Sequence, residues 1–350
     1  MNSNSNPYTL VFGKEPAQNI SRAAQMMDIL ESFTATPPVQ QIYMITGVRG
    51  SGKTVFMTEL SKELKQQDDW IIVDLNSSQD LLLDLAATLA SENKLAQLFQ
   101  RSEINLSFFG IGLNVKGAAP ITNIQIAIAK MLESIKKSKK KVLVCIDEAI
   151  STDYMKAFAS AFQIFLRQDL PIYLLMTSLY ENINDLQNEK NLTFLYRAPK
   201  VELKPLNLHT IATSYKKMFS LDDTTSSKMA ALTKGYSFAF QVLGFFTWKN
   251  GGNYKDALPD FRQYLEDYVY EKIWSELSAT DKEFAFAIAK SKSGKASEIK
   301  KLLNIENNKY TPYRDRLLKR GLIDGSQHGY ISFILPLFEE YVIQMYSEDY

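Results

Sequence analysis

Residues 45–56, ITGVRGSGKTVF, place three glycines, a lysine and a threonine within eight positions. The spacing Gly47-x-x-x-x-Gly52-Lys53-Thr54 is that of a P-loop, whose backbone N–H groups turn inward onto phosphate oxygens. Val48, Arg49, Gly50 and Ser51 fill the variable positions, and Val55 carries the chain into the next element. In such a loop Lys53 reaches the β and γ phosphates and the Thr54 hydroxyl ligates Mg²⁺. Arg49 either approaches phosphate as well or points to solvent. A helix starting at the end of the loop adds its positive N-terminus. The cofactors this chemistry calls for are ATP and Mg²⁺. The plain alternative is a glycine-rich strand-to-helix turn that binds nothing.

Phosphate transfer at a metal also needs carboxylates. VLVCIDE (142–148) is an apolar run that ends in Asp147 and Glu148. On a strand parallel to the one before the loop, Asp147 stands by the Mg²⁺ waters, and Glu148 faces an attacking water as general base. Otherwise the pair is a solvated strand end. YLLMTS (173–178) ends in Thr177 and Ser178. Their hydroxyls either orient water against the γ-phosphate, with Thr177 preferred, or cap the next helix. Arg197, in FLYRAPKVEL, either stabilises transition-state charge, in its own subunit or across a subunit boundary, or is a surface cation.

The elements that must position these groups follow from periodicity. QQIYMIT (40–46), WIIVDL (70–75), KVLVCIDEA (141–149) and PIYLLMTS (171–178) read as strands. AAQMMDILESF, GKTVFMTELSKEL, QDLLLDLAATLASE, TNIQIAIAKMLESIKKSKK and AFASAFQIFLRQ read as helices. Strands alternating with helices imply a parallel sheet with crossover helices. INLSFFGIGLNVKG (104–117) alternates around two glycines and reads as a hairpin or irregular insertion. From about residue 204 strands cease, and three helical runs follow. After about 272 come three more helix-like runs and then a hairpin at GLIDGSQHGYISFIL. The fold class is therefore α/β: a P-loop NTPase sheet with helices on both faces (1–203), a helical lid (204–271) and a winged helix-turn-helix (272–350).

Bulk properties set outer bounds. The chain has 350 residues, 45% hydrophobic and 23% charged, which suffices for more than one core. A net charge of +1 argues against binding polyanions over the whole surface. The single Cys145 cannot form an intramolecular disulfide. No run approaches the roughly 18 apolar residues of a spanning helix, and the N-terminus has no signal-like core. The expectation is a soluble cytoplasmic protein without a membrane partner.

The order of P-loop, CIDE, MTS, YRAPKVELKPL and KGYSFAFQVLG resembles that of the AAA+ ATPases. Among these it looks most like bacterial and archaeal ATPases related to the initiator-loader branch and to the STAND signalling ATPases. NPYTLVFGKEPAQNISR is similar to the lead-in such proteins place before the nucleotide site. Where the family usually has Gly-Arg near the adenine, this chain has Ser21-Arg22, which makes Arg22 the matching candidate. Two departures stand out in Gly235-Tyr236-Ser237-Phe238-Ala239. It carries neither the arginine that initiator-branch members place after the lid glycine nor the Gly-x-Pro of STAND proteins. The resemblance therefore implies slow, switch-like hydrolysis.

YTPYRDRLLKRGLID and GYISFILPLFEEYV look like the winged-helix end of the same family, with the first as recognition helix. Residues 290–320 hold ten Lys or Arg against three acids, an electrostatic footprint for DNA phosphate. Tyr310 and Thr311 are candidates to reach bases, and Arg314 bases or backbone. His209 and His328 lack partners at metal-ligand spacing and read as polar surface. The sequence thus points to a nucleotide switch that hydrolyses ATP to ADP and contacts double-stranded DNA through 290–320. The rival is a STAND-like signalling ATPase whose winged helix binds protein. A DNA-binding module with a degenerate ATPase is disfavoured by the intact Lys53, Thr54, Asp147 and Glu148. Self-association is left open.

Overall fold

A computed structural model describes residues 5–11, 13, 15–113, 115, 117–189 and 192–349. The chain divides into two compact bodies. One comprises Arg22–Thr46 and Lys53–Glu202. The other comprises the described residues up to Ser21, the loop Gly47–Gly52, and the chain from Leu203 on.

The first body is built on five strands: β1 (Ile42–Thr46), β2 (Trp70–Asn76), β3 (Lys141–Asp147), β4 (Ile172–Ser178) and β5 (Lys200–Glu202). They pair in the order β2-β3-β4-β1-β5, all parallel. Its helices are α1 (Ala23–Thr34), α2 (Lys53–Lys65), α3 (Leu81–Ser91), α4 (Asn93–Arg101), α5 (Ile124–Lys137), α6 (Asp153–Arg167) and α7 (Tyr180–Asn188). β1 and β4 are buried at every position, which is why they read as unbroken apolar runs. Strand alternation gives the two faces different cores. Ile42, Met44, Val142, Val144, Leu174 and Met176 join a core with residues of α3, α5 and α6. Tyr43 and Tyr173 face the other way, onto Phe33 of α1, with ring centroids 5.4 and 5.2 Å apart. By the same parity Cys145, Asp147, Leu175 and Thr177 lie on the face of Tyr43 and Tyr173.

Two expectations change in this body. β5 was not anticipated, because it has three residues and two of them, Lys200 and Glu202, are exposed. The segment 104–117 forms no hairpin among its described residues; positions 114 and 116 lie outside them. It makes a 3₁₀ turn at Ser107–Phe109, ended by Gly110 in the left-handed region. The Asn105 side chain, not a strand ladder, organises it, accepting from Ser107 N–H at 3.0 Å and donating to Ala118 O at 2.8 Å.

The second body is helical: α8 (Leu208–Phe219), α9 (Asp223–Ala231), α10 (Ser237–Lys249), α11 (Leu258–Leu265), α12 (Glu271–Glu276), α13 (Ala279–Lys290), α14 (Ala296–Leu303), α15 (Asn307–Lys319) and α16 (Phe338–Asp349). Two short antiparallel strands, β6 (Ile323–Asp324) and β7 (Ser332–Phe333), separate α15 from α16. Residues from Leu206 to Val342 share one hydrophobic core, which also takes in Tyr8 from the N-terminal segment. Tyr8 stacks on Phe219 and fills the space beside Gly244, where an added Cβ would lie 2.4 Å from its ring. A π-helical turn, Glu266–Tyr270, joins α11 directly to α12. The boundary expected between 271 and 272 therefore falls inside a continuous helical run. Among the described residues no helix is long and apolar enough to cross a membrane.

Glu298 of α14 organises the turn before its own helix. Its carboxylate accepts from the Ser291 hydroxyl at 2.9 Å, from the N–H groups of Lys292 and Ser293 at 3.0 and 3.1 Å, and from the Ser293 hydroxyl. These donors, the Ser293 hydroxyl foremost, hold its pKa down at about 2, against an ordinary 4.5. A carboxylate depressed in the folded state stabilises the fold fully above its unfolded value and loses that contribution as pH falls towards 2. Glu298→Gln is therefore expected to lower the urea midpoint at pH 7, and its gap from the wild type is expected to narrow by pH 3. Circular dichroism of urea unfolding at the two pH values checks this.

Candidate nucleotide site

β1 ends at Thr46, the loop Gly47–Gly52 follows, and α2 begins at Lys53. The loop makes close contacts with the rest of the helical body. Its tightest point is Gly50, in the left-handed region at φ +74°, where an added Cβ would lie 2.1 Å from the Tyr236 hydroxyl. Three consecutive loop carbonyls are engaged there. Arg49 O accepts from Tyr236 Oη at 2.7 Å, Gly50 O from Phe238 N–H at 3.1 Å, and Ser51 O from Ser237 Oγ at 3.0 Å. Ser51 N–H closes a turn onto Val48 O at 3.1 Å. Val48 also borders Gly321, whose added Cβ would meet its side chain at 2.7 Å.

In the sheet body the carboxylate of Asp147 is the meeting point. Thr54 Oγ1, from the second residue of α2, donates to Asp147 Oδ2 at 2.8 Å. Thr177 Oγ1 donates to Asp147 Oδ1, and Glu148 N–H lies 3.2 Å from both Asp147 Oδ1 and Thr177 Oγ1. Strand parity brings Asp147 and Thr177 to one face, and α2 brings Thr54 to the same place. Glu148 is exposed, with φ at +50°. For a residue with a long side chain that conformation costs about 1–3 kcal/mol. It is held by the N–H contacts above and by Ser77 Oγ, which donates to Glu148 O at 3.2 Å. Ser178 points elsewhere, donating to Ala149 O at 2.6 Å.

Thr54, Asp147, Glu148 and Thr177 thus converge. Arg22 and Arg197 take no part in that cluster's hydrogen bonds. Arg22 precedes α1 with Glu59 of α2 as its countercharge; partial burial lowers its pKa, and Glu59 opposes the shift. Arg197 ends a 3₁₀ turn and is exposed. Asp74 of β2 pairs in register with Cys145. Its carboxyl is pushed up by burial, with Asp147 adding to the rise and Lys65 opposing it. The Cys145 thiol is itself pushed up to about 12, chiefly by burial, and is inert at neutral pH. Sequence reasoning missed Tyr236 and Ser237 as loop partners. Their position straight after the lid glycine was the available signal.

The basic C-terminal segment is less free than its count suggests. Arg316 is paired with the buried Asp281 carboxylate at 2.6 Å, Arg320 donates to Glu276 O at 3.1 Å, and Arg314 lies 3.2 Å from Asp315. Tyr310, expected to reach bases, is instead a core residue. It is 7% exposed and lies against Phe284 at 5.5 Å between ring centroids, because its helical position turns inward.

A parallel sheet in this strand order, a Gly-Lys-Thr loop after β1 and an Asp-Glu pair closing β3 define a P-loop ATPase of the AAA+ class. Residues 21–195, half of the chain, match the family described as an ATPase domain predominantly from Archaea, and the chain belongs to that family. Residues 267–342 match a family described only as a domain of unknown function. No curated protein matches the sequence. Among solved structures, a Walker-type ATPase of Pyrococcus abyssi is similar over 93% of this chain and 95% of its own, with a TM-score of 0.66 at 15% identity. The ORC2 protein of Aeropyrum pernix, in ADPNP–ADP complexes, is similar over 93% and 92%, with a TM-score of 0.58 at 13% identity. Both likenesses are of fold.

Proposed function

We propose that the chain is a nucleotide-dependent switch that binds ATP with Mg²⁺ and hydrolyses it slowly to ADP and phosphate. The observation that carries this reading is the Asp147 carboxylate, with Thr54 on one oxygen and Thr177 on the other. A hydroxyl and a carboxylate oxygen 2.8 Å apart suit Mg²⁺, a hard ion that takes few protein ligands and keeps several waters. A Mg²⁺ ion held there would supply positive charge against the negative charge that develops on the transferred phosphate. The loop amides and Lys53 bind phosphate, and Thr54 and Asp147 hold the metal. Glu148 accepts the proton of the attacking water. Thr177 serves as a positioning residue, fixing Asp147 and the Glu148 backbone together. The nucleotides named with the ORC2 structure favour the same ligand class. Release of phosphate from ATP, with and without Mg²⁺, tests the reading; absence of metal-dependent release would defeat hydrolysis.

We further propose that α13–α15 with the β6–β7 ribbon act as a winged helix on double-stranded DNA, with a protein partner as the rival. What supports DNA is the set of exposed lysines 290, 292, 295, 301, 309 and 319. About four can face one duplex, because a helix presents one side. Log K is then expected to fall with log salt at a slope of about −4, and Lys319→Ala to reduce that slope by about one. Fluorescence anisotropy of the full chain with duplex DNA across a salt series checks this. Binding without salt dependence, or none, hands the region to a protein partner.

A further inference from the structure

We propose that the first turn of α10, Tyr236 to Phe238, senses phosphate on the P-loop from behind, through the loop's carbonyls. The proposal rests on the loop being the nucleotide site.

Three donors from this turn meet three successive loop carbonyls, those of Arg49, Gly50 and Ser51. A trans peptide points its N–H opposite to its C=O. Fixing those carbonyls therefore also fixes the N–H groups of Gly50, Ser51 and Gly52. Ser51 N–H is spent on Val48 O. By the same geometry the N–H groups of Gly50 and Gly52 point away from the α10 donors, which leaves them for phosphate if the loop is the nucleotide site. A phosphate accepting from an N–H polarises its peptide and strengthens the hydrogen bond on the same peptide's carbonyl. Phosphate binding and docking of α10 then stabilise each other, and the coupling is reciprocal.

The turn is shaped for this contact. No Lys or Arg occurs from Gly235 to Trp248, so no cation from this stretch reaches phosphate. The Tyr236 phenol is buried, which pushes its pKa far up, with Arg49 opposing, so it stays a neutral donor. Gly235 lets the turn approach: at φ +76°, an added Cβ would lie 2.5 Å from Leu206 O. The residue before it, Lys234, donates to Phe333 O of β7 at 3.3 Å and lies 3.5 Å from Glu339 of α16. Residues 234–238 thus touch the P-loop at one end and the C-terminal ribbon and helix at the other.

The test uses the full chain, ADP and ATP with Mg²⁺, titration calorimetry and hydrogen exchange. In the wild type, nucleotide is expected to slow amide exchange across 234–249. Tyr236→Phe and Ser237→Ala each remove one donor and are expected to weaken nucleotide binding about three- to tenfold. They should also blunt the slowing, and Ser237→Thr should restore both the affinity and the slowing. If the wild type binds neither nucleotide, the P-loop reading fails first. If it binds but exchange across 234–249 does not slow, or if the folded variants bind as tightly as the wild type, the sensing role is overturned. The wild-type exchange result stands even if Tyr236→Phe fails to fold.

Discussion

Glu148→Gln is expected to bind ATP as tightly as the wild type and to hydrolyse it about 10²- to 10⁴-fold more slowly. The amide matches the carboxylate in size but cannot accept the proton of an attacking water. It leaves in place the backbone that holds position 148 at φ +50°, since those bonds come from its own N–H and from Ser77. Calorimetric binding beside a phosphate-release assay separates the two effects. Equal hydrolysis by variant and wild type would remove Glu148 from the chemistry. The same variant probes Arg197, which is exposed and so available to a second copy of the chain. Mixing Glu148→Gln with Arg197→Ala subunits should recover ATPase above either alone if the arginine works across a subunit boundary. A fully active Arg197→Ala on its own would make it plain surface.

Lys53→Ala acts at the other step. It removes a charge-assisted hydrogen bond to phosphate, worth about 1.5–3 kcal/mol, so affinity for both ATP and ADP should drop about 10- to 100-fold. Calorimetry with Mg²⁺ present measures it. A wild type that binds neither nucleotide would undo the assignment of the loop, and an unchanged Lys53→Ala would move phosphate recognition elsewhere.

The parts of the site that were legible in the sequence have a local cause. Gly52, a fixed position of the motif, sits in the left-handed region at φ +91°, and Gly50 between the fixed positions is held to glycine by its φ of +74° and by the Tyr236 hydroxyl. β1 and β4 are buried on both faces, so they read as apolar runs whose ends mark Gly47 and Thr177. What could not be read depends on contacts distant in sequence. The grip of Thr177 on Asp147 spans 30 positions and needs the strand register. The inward face of Tyr310 is set by Phe284 in another helix. The join of α11 to α12 through a π turn carries no glycine or proline to announce it. β5 is too short to show a period.

The path of the chain has a consequence for how this protein can be taken apart. The backbone passes from one body to the other four times, at 21–22, 46–47, 52–53 and 202–203. No single cut in the gene yields either body intact. A product ending near residue 203 would keep the P-loop but lose the Tyr236, Ser237 and Phe238 donors on its carbonyls, and would leave Tyr8 without Phe219 and Gly244. A product starting near 272 would open the core shared by Tyr270, Phe338 and Tyr341. The two activities proposed for the chain are thus not exchangeable cassettes, and fusions, splits or swaps between relatives must carry the interleaved segments together.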